Sequence, residues 1–339
     1  MNSIFREEYK NITSQIDIEK LQNKSILVTG ANGLIGSYMI DYLNSLDLGI
    51  NIYALSRSKD KLETRFGTDE DIKFIEQDLN EPFRTDIKFD YIIHTASNAH
   101  PKAFSQDPVG TMKTNLIGTM NLLELAKDCG AKFLYLSTGE IYGNNTDHAF
   151  TEDDLGVVDT KLSRSCYPES KRAGETLCMA YHSQYGIDVN IARLCYVYGA
   201  TITDTNSRAD AQFLRNALNG EDIVMKSEGL QRRTYCYVAD CVSGLFKILT
   251  EGKNGDFYNI SNPNSIVSVR EYAQTLADIS GVKLIFENPD EVERKGYSKQ
   301  ADSILDSTKL QNLGWKPLYD IKNGLKHTYK TKCFNKGTL

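Results

Sequence analysis

The chain has 339 residues, of which 40% are hydrophobic and 25% are charged, as in an ordinary soluble globular protein. A net charge of −6 argues against a nucleic-acid partner but not against a local basic pocket for phosphates. Seven cysteines without a CxxC pair indicate free thiols in a reducing cytoplasm, so neither a disulfide framework nor a bound metal is expected. Because no apolar run reaches membrane-spanning length and no signal peptide is evident, we expect a cytoplasmic protein without a membrane partner.

Strands and helices are predicted to alternate along most of the chain. After a helical arm at 1–24, apolar β-rich runs predict strands at 25–29, 51–55, 73–78, 91–96, 132–137, 189–194 and 256–261. Helical patterns lie between them, at 34–46, 111–129, 168–185 and 241–249. This alternation predicts an α/β fold of the Rossmann type, with a doubly wound parallel sheet and a smaller C-terminal substrate-binding lobe.

A glycine-rich turn joins the first strand to the first helix of the sheet. Residues 29–36 read TGANGLIG, and Gly30, Gly33 and Gly36 permit a tight turn that lets the backbone approach a pyrophosphate. The helix that begins at Leu34 and Ile35 then offers free N–H groups to that anion. The order of strand, turn and helix favours a dinucleotide-binding site over a plain tight turn.

The residues at the end of the second strand indicate whether the dinucleotide is NAD or NADP. Folds that prefer NAD place Asp or Glu there, where the carboxylate accepts hydrogen bonds from the ribose 2′-hydroxyl. This chain has Ser56 and Arg57 instead. The serine hydroxyl beside the planar, charged guanidinium group of the arginine suits a 2′-phosphate. We therefore predict NADP(H) over NAD(H), with a solvated basic turn as the alternative. Asp78 and Leu79, after the third strand, are candidates for the adenine edge, or for a strand-end cap.

The segment YPESK at 167–171 places two reactive side chains on one helix face. Tyr167 and Lys171 are four residues apart, and Pro168 suits the first turn of a helix. A nearby ammonium lowers the pKa of a phenol, so Tyr167 can act as acid or base at a carbonyl or alcohol oxygen, while Lys171 can hold ribose hydroxyls. Thr138, at the end of the fifth strand, can bond the same substrate oxygen.

With these motifs the chain resembles the extended short-chain dehydrogenase/reductases of the nucleotide-sugar epimerase/dehydratase group over about 25–320. The resemblance rests on TGANGLIG, TMKTNLIGTMNLLELAK, LSTGEIYG, CYPESKRAGET and LGWKP, and 111–143 and 164–182 look most like UDP-glucuronate decarboxylases. It implies Thr138, Tyr167 and Lys171 as the catalytic set, with Asn115 in the supporting network. It also implies a homodimer formed through the helices near 112–128 and 168–184.

The resemblance further implies residues that contact the cofactor and the substrate. Arg233 resembles an arginine that binds the diphosphate through bidentate charged hydrogen bonds, and Arg208 aligns with another, although a surface ion pair is the alternative for either. Tyr196 stands where the family has an Asn, so the sugar side of the pocket differs from that of the decarboxylases. The remaining candidates are Ala96 and Val197 for the cofactor, Ser97 for the substrate, and Lys295 and Asp306 for the nucleotide.

Glu140 bears on the reaction that the resemblance implies. Decarboxylases and GDP-mannose 4,6-dehydratases carry Ser-Thr-x-Glu, in which Glu140 could be a proton shuttle or an anchor for a hydroxyl group. A carboxylate bonded to nearby backbone is the structural alternative. Because a 2′-phosphate pocket suits net consumption of NADPH, we favour an NADPH-dependent reductase of a CDP-, GDP-, UDP- or dTDP-linked sugar, similar to capsule-pathway enzymes that make CDP-linked alditols. The alternatives are a cofactor-recycling 4,6-dehydratase or decarboxylase with Glu140 as base, a 4-epimerase, and a catalytically silent NADP-binding protein.

The predicted domains follow from the placement of these motifs. An N-terminal helical arm covers 1–24, and an NADP-binding Rossmann unit covers 25–199, to which 239–261 returns. The lobe that binds the nucleotide sugar is predicted at 200–238 and 262–339.

Overall fold

Seven parallel strands form the central sheet of the computed structural model, in which residues 3–67, 69–143, 148–287 and 302–335 are described. The strands are β1 (Ser25–Thr29), β2 (Asn51–Ser56), β3 (Ile72–Glu76), β4 (Tyr91–His94), β5 (Lys132–Thr138), β6 (Val189–Leu194) and β10 (Asp256–Ile260). They lie in the order β10-β6-β5-β4-β1-β2-β3, and the order reverses at β1, where a doubly wound sheet opens a ligand-binding crevice. The predicted Rossmann-type fold class is confirmed.

Helices cover both faces of this sheet because its strands carry apolar side chains on both sides. Val28 packs with Met39 and Leu245 on one face, and Leu27 packs with Leu122 on the other. The helices are α1 (Ser3–Thr13), α2 (Leu34–Asn44), α3 (Lys59–Phe66), α4 (Pro101–Gln106), α5 (Pro108–Cys129), α6 (Cys166–Tyr185), α7 (Ala209–Leu218), α8 (Val238–Glu251), α9 (Val269–Ser280), α10 (Thr308–Gln311) and α11 (Ile321–Asn335).

Two small sheets lie in the later part of the chain, where the sequence pattern is less regular. One has the order β11-β9-β7 and is built from β7 (Tyr196–Tyr198), β9 (Arg232–Tyr237) and β11 (Ile266–Ser268). The other pairs β8 (Ile223–Met225) with β12 (Leu284–Phe286). Because β7 lies within the predicted Rossmann unit but pairs with β9 of the predicted lobe, the two units share a sheet, and their division stays a prediction.

The predicted N-terminal arm is helical at Ser3–Thr13 and is anchored by a buried carboxylate. Glu8 accepts hydrogen bonds from Tyr38 of α2 (2.6 Å) and Tyr237 of β9 (2.7 Å), and it pairs with His327 of α11 (2.8 Å). Through Glu8, helix α1 therefore contacts α2, β9 and α11.

Candidate active site

One cavity of about 560 Å³ opens at the carboxyl ends of the central strands and brings most of the predicted site residues together. Of the predicted set, it is lined by Gly30, Gly33, Leu34, Ile35, Gly36, Ser56, Arg57, Asp78, Leu79, Ala96, Ser97, Thr138, Glu140, Tyr167, Tyr196, Val197, Arg208 and Arg233. Asn115 and Lys171 are buried behind this lining. Asp306 also lies away from the cavity, where its carboxylate accepts from the Thr308 N–H, and Lys295 lies outside the described residues.

The glycine turn between β1 and α2 has the shape that a pyrophosphate cradle requires. Gly30 has a φ of +63°, and a Cβ there would lie 2.8 Å from the main chain of Ala96. A Cβ on Gly36 would lie 2.6 Å from the Gly30 carbonyl oxygen. Because only glycine fits these positions and α2 begins at Leu34, free helical N–H groups face the cavity. These residues fit a dinucleotide.

The end of β2 presents basic and hydroxyl side chains to the cavity. Ser56, Arg57, Ser58 and Lys61 all line it there. Asp78 lines it as well, but its carboxylate accepts hydrogen bonds from the backbone and side-chain amides of Asn80, at 2.9 and 3.0 Å. Asp78 thus also serves as the strand-end cap that the sequence left as an alternative.

Tyr167 lies in the first turn of α6 with its phenol directed at the end of β5. Its ring stacks on Phe104 of α4, with centroids 5.3 Å apart, and its hydroxyl forms a hydrogen bond with Thr138. Thr138 in turn accepts from the backbone N–H of Glu140 (3.2 Å). These contacts hold the phenol, the threonine and the glutamate in one corner of the cavity.

The pKa of Tyr167 shifts in the direction opposite to the one predicted. Burial raises it above the ordinary range for tyrosine, the Glu140 carboxylate raises it further, and the Thr138 hydrogen bond lowers it. Lys171 donates from Nζ to the Leu136 carbonyl oxygen (2.7 Å) and lies over the Tyr135 ring. Burial lowers the pKa of Lys171 to about 8, so desolvation dominates at both side chains.

Asn115 supports the site from behind the cavity wall. It accepts a hydrogen bond from Ser97 (2.8 Å), which lines the cavity, and donates one to Ser170 (2.9 Å) in α6. Ser170 also donates to the Cys166 carbonyl oxygen in the first turn of that helix. Asn115 therefore links Ser97 to the first turns of α6, and the supporting role that the resemblance implies for it stays a prediction.

Glu140 lies beside an arginine that the sequence analysis did not single out. Its carboxylate pairs with Arg164 at 3.3 Å rather than with nearby backbone. Burial raises the pKa of Glu140, while Arg164, Arg233 and Arg208 lower it, in that order. Arg164 comes from the short helical turn Ser163–Ser165, and its place three residues before Tyr167 gives no sign in sequence that it faces Glu140.

The remaining arginines reach the cavity from the smaller sheets and the adjoining loop. Arg208 donates to the Val197 carbonyl oxygen (2.8 Å) and pairs with Asp210 (3.2 Å). The Arg233 guanidinium lies 4.4 Å from the centroid of the Tyr196 ring. Arg208 thus forms an ion pair that is largely buried, and both arginines line the cavity, so their role in binding the diphosphate stays a prediction.

The described part of the chain was expected to contain neither a metal site nor a membrane-spanning helix. Within it, no group of three or more His, Cys, Asp or Glu side chains could hold a metal ion. No helix in the described ranges is long and apolar enough to cross a membrane.

The sheet order, the glycine cradle and the Thr138–Tyr167 corner define an enzyme of the extended short-chain dehydrogenase/reductase class. The chain belongs to the NAD dependent epimerase/dehydratase family, whose model matches residues 26–261. Enzymes of this kind act on nucleotide sugars, and the resemblance stated from the sequence is confirmed.

Among curated proteins, the chain is similar to UDP-glucuronic acid decarboxylase 6 of Arabidopsis thaliana, with 36% identity over 89% of this chain and 87% of that protein. It is also similar to UDP-glucuronic acid decarboxylase 1 of Danio rerio, with 32% identity over 92% of this chain and 73% of that protein. Among solved structures, the UDP-glucose 4-epimerase of Thermotoga maritima with UDP-glucose matches with a TM-score of 0.78 and 26% identity, over 92% of this chain and 99% of that one.

Proposed function

We propose that this chain oxidises a nucleoside-diphosphate-linked uronic acid at C4, releases its carboxyl group as CO2, and reduces the ketone again. The observation that carries the proposal is the corner in which Glu140 and Arg164 stand beside Thr138 and Tyr167. The similarity to UDP-glucuronic acid decarboxylases supports it and favours this recycling reaction over the net reduction that the cofactor argument had suggested.

The residues of the corner divide the chemistry between them. The glycine turn at Gly30, Gly33 and Gly36 would hold a nicotinamide dinucleotide, which would supply a reversible hydride acceptor for C4. Tyr167 takes the proton of the C4 hydroxyl while Thr138 holds the oxygen. The C4 ketone is β to the carboxylate, so the C–C bond to CO2 breaks and its electron pair moves into an enolate, whose oxygen Tyr167 and Thr138 hold.

Glu140 is suited to supply the proton that the enolate carbon needs. Burial raises the pKa of this carboxyl group, which increases the protonated fraction near neutral pH. Arg164 lies next to it and offers a guanidinium to the departing carboxylate. Glu140→Gln should therefore slow CO2 release by about 10²-fold or more without weakening dinucleotide binding. A variant with wild-type CO2 release would remove Glu140 from the mechanism.

For the cofactor we propose NADP over NAD. The support comes from Ser56, Arg57 and Lys61, which line the cavity at the end of β2, where a 2′-phosphate would lie. Arg57→Ala should weaken NADP by about tenfold and leave NAD within twofold, since it removes one charged hydrogen-bonding partner of the phosphate. Calorimetry on both dinucleotides checks this, and equal affinity for NAD and NADP in the wild type would contradict it.

A panel of substrates tests the reaction itself. The purified chain is incubated with catalytic NADP or NAD and with UDP-glucuronate, UDP-glucose, dTDP-glucose, GDP-mannose or CDP-glucose. We expect CO2 release from UDP-glucuronate with no net change in absorbance at 340 nm. In a parallel incubation with NADPH and a nucleotide-linked keto sugar, stoichiometric loss of NADPH would instead establish a reductase. A 4-keto-6-deoxy product in the panel would establish a dehydratase.

We also propose that the enzyme is a homodimer formed through α5 and α6. The support is a set of exposed apolar side chains along α5, namely Val109, Met112 and Met120. Light scattering on the purified chain should give twice the chain mass of 38.1 kDa. Met112→Glu combined with Met120→Glu should shift the protein to monomers, and a monomeric wild type would refute the proposal.

A further inference from the structure

His94 is a fully buried histidine at the carboxyl end of β4, next to the point where the strand order reverses. The parallel register pairs it with Thr29, the last residue of β1, so the two side chains lie on the same face of the sheet. The rings of Phe133 and Tyr135 lie beside the imidazole, with centroids 6.1 and 5.7 Å away. The imidazole therefore belongs to the core and does not line the cavity.

Both ring nitrogens of His94 have a hydroxyl partner. Nδ1 lies 2.9 Å from Thr29 Oγ1, and Nε2 lies 3.1 Å from Oγ1 of Thr119 in α5. The Thr119 hydroxyl donates to the Asn115 carbonyl oxygen one helical turn earlier (2.6 Å). Because this bond uses the one proton of the hydroxyl, the Thr119 oxygen can only accept from the imidazole. Nε2 must therefore carry a proton.

The role of Nδ1 follows because the ring is neutral. Burial lowers the pKa of His94 well below its ordinary value, and the charge of Lys171 lowers it further. A neutral imidazole with its proton on Nε2 accepts at Nδ1, so the Thr29 hydroxyl donates to it. Thr29 Oγ1 in turn accepts from the Ala96 backbone N–H (3.3 Å). One directed chain of hydrogen bonds thus runs from Ala96 through Thr29 and His94 to α5.

The two ends of this chain reach two different parts of the active site. At one end, the main chain of Ala96 packs against the glycine turn, where a Cβ on Gly30 would lie 2.8 Å from it. At the other end, the Asn115 side chain donates to Ser170 of α6 (2.9 Å), the helix that presents Tyr167 to the cavity. The imidazole thus lies between the turn that would hold a dinucleotide and the helix that carries the phenol.

We propose that His94, as the Nε2–H tautomer, is a positioning residue that fixes the glycine turn relative to α5 and α6, and so the dinucleotide relative to Tyr167. The inference rests on the proposed function only for the substrate of the turnover assay. Loss of the hydrogen bond to Thr29 should weaken binding of the dinucleotide. Loss of the hydrogen bond to Thr119 should instead slow turnover.

NMR of the full chain with ¹⁵N-labelled histidine measures the tautomer, since protonated and unprotonated ring nitrogens have different ¹⁵N shifts. Replacing the other four histidines one at a time by Gln assigns the His94 signals by elimination. We expect a proton on Nε2 and none on Nδ1 at pH 7. His182 is the matched control, because its Nδ1 donates to the Ile187 carbonyl oxygen (2.8 Å) and should keep its proton when the ring is neutral at pH 9. A His94 ring with a proton on Nδ1 would overturn the proposal.

Thr29→Val tests the hydrogen bond on the side of the glycine turn, because it removes the hydroxyl and keeps the shape of the side chain. It should raise the Kd of NADP about tenfold, measured by calorimetry, and leave kcat at saturating NADP within threefold. Thr29→Ser retains the hydroxyl and should recover most of the affinity. Equal Kd values for the Val and Ser variants would contradict the inference.

Thr119→Val tests the hydrogen bond on the side of α5. It should lower kcat about tenfold and leave the Kd of NADP within twofold, and Thr119→Ser should recover most of the turnover. Thr275→Val is the matched control, because Thr275 makes the same kind of bond one turn back, to the Glu271 carbonyl oxygen of α9 (2.7 Å), away from the cavity. It should change neither quantity. A Thr119→Val variant that behaves like this control would overturn the proposal.

His94→Asn retains an acceptor near Thr29 but is too short to donate to Thr119. It should therefore lower kcat as Thr119→Val does, and the two substitutions together should lose no more than either alone. Should His94→Asn fail to fold, the threonine variants and the wild-type spectrum decide the question. Losses of kcat and NADP affinity that always occur together would indicate a merely structural histidine and overturn the inference.

The outcome for this inference can be separated from the outcome for the proposed reaction. The NMR and calorimetric measurements need no turnover. A chain that shows the expected tautomer and the expected loss of NADP affinity, but releases no CO2 from UDP-glucuronate, would refute the proposed reaction and leave the role of His94 standing. Normal CO2 release by a wild type with the other tautomer would do the reverse.

Discussion

At the scale of the residue, the site depends on a phenol that burial has made hard to ionise. Tyr167 is 7% exposed, and its ring is clamped by Phe104. The protonated form is therefore the resting form, and Tyr167 must first lose its own proton before it can accept that of the C4 hydroxyl in the proposed reaction. The proposed acid–base step therefore includes the cost of ionising a buried phenol.

Tyr167→Phe removes the hydroxyl and retains the ring that packs on Phe104. We expect turnover of the substrate that the wild type converts to fall by about 10²–10⁴-fold, because the hydroxyl that transfers the proton is removed. The stability of the chain should change little. Tyr91→Phe is the matched control, since it removes a phenol that donates to the Lys20 carbonyl oxygen away from the cavity (3.0 Å). Retained turnover in Tyr167→Phe would remove this tyrosine from the reaction.

Lys171 predicts a pH dependence of stability. Its pKa is about 8 in the folded chain against an ordinary 10.5, so between these values the unfolded chain binds more protons and stability rises with pH. The unfolding free energy of the wild type minus that of Lys171→Met should therefore increase from pH 8 to pH 10.5, by about 3 kcal/mol at most. Urea titrations at several pH values measure it, and a constant difference would show that Lys171 is not the titrating group.

The sequence located most of the site residues but not their electrostatics. Gly30, Thr138, Tyr167 and Lys171 occur in motifs whose spacing places them near one sheet edge. The direction of the tyrosine pKa shift depends on burial, which spacing does not report. Arg164 was missed because its contact with Glu140, 24 residues earlier, depends on the tertiary fold and follows no short sequence spacing.

At the scale of the element, α6 is fastened to the sheet by a buried ion pair. Arg193 of β6 donates from Nε and Nη2 to Glu175 of α6 (3.0 and 2.9 Å), and from Nη1 to Tyr142 and the Glu152 carbonyl oxygen. The side chains of the pair are only 10% and 7% exposed. Since α6 carries Tyr167, this ion pair also fixes the helix that presents Tyr167 to the cavity.

Arg193→Met should reduce the free energy of unfolding by about 3–5 kcal/mol, because it leaves the Glu175 carboxylate buried without its partner. Urea denaturation measures the loss. Arg193→Met combined with Glu175→Leu should recover most of it, since no uncompensated charge then remains. The exposed pair of Lys59 and Glu63 provides a control, and Lys59→Ala should change stability by less than about 0.5 kcal/mol. An Arg193→Met variant as stable as this control would contradict the assignment.

The elements of the central sheet were predictable to within a few residues. Their apolar runs alternate with helical patterns, and 189–194 coincides with β6. Helix α5 begins at Pro108 rather than at 111 because Asp107 caps it by accepting from the Gly110 N–H (2.8 Å). The short strands β7, β8, β11 and β12 have three residues each, too few for a periodicity to show, so the two small sheets went unpredicted.

At the scale of the whole molecule, Glu8 joins segments far apart in the chain. Glu8→Ala should lower the free energy of unfolding by about 2–4 kcal/mol, because the hydroxyls of Tyr38 and Tyr237 lose their acceptor inside the core. The exposed neighbour Glu7 is the control, and Glu7→Ala should have almost no effect. Equal stability of the two variants would show that the arm is held by its apolar contacts alone.

The same carboxylate implies an order of events during synthesis. Two of its partners, Tyr237 and His327, follow it by 229 and 319 residues, so Glu8 leaves the ribosome long before they exist. At a typical rate of about 5–20 residues per second, the wait for His327 lasts on the order of tens of seconds. Helix α1 is thus translated early but is among the last of the described elements to reach its final surroundings.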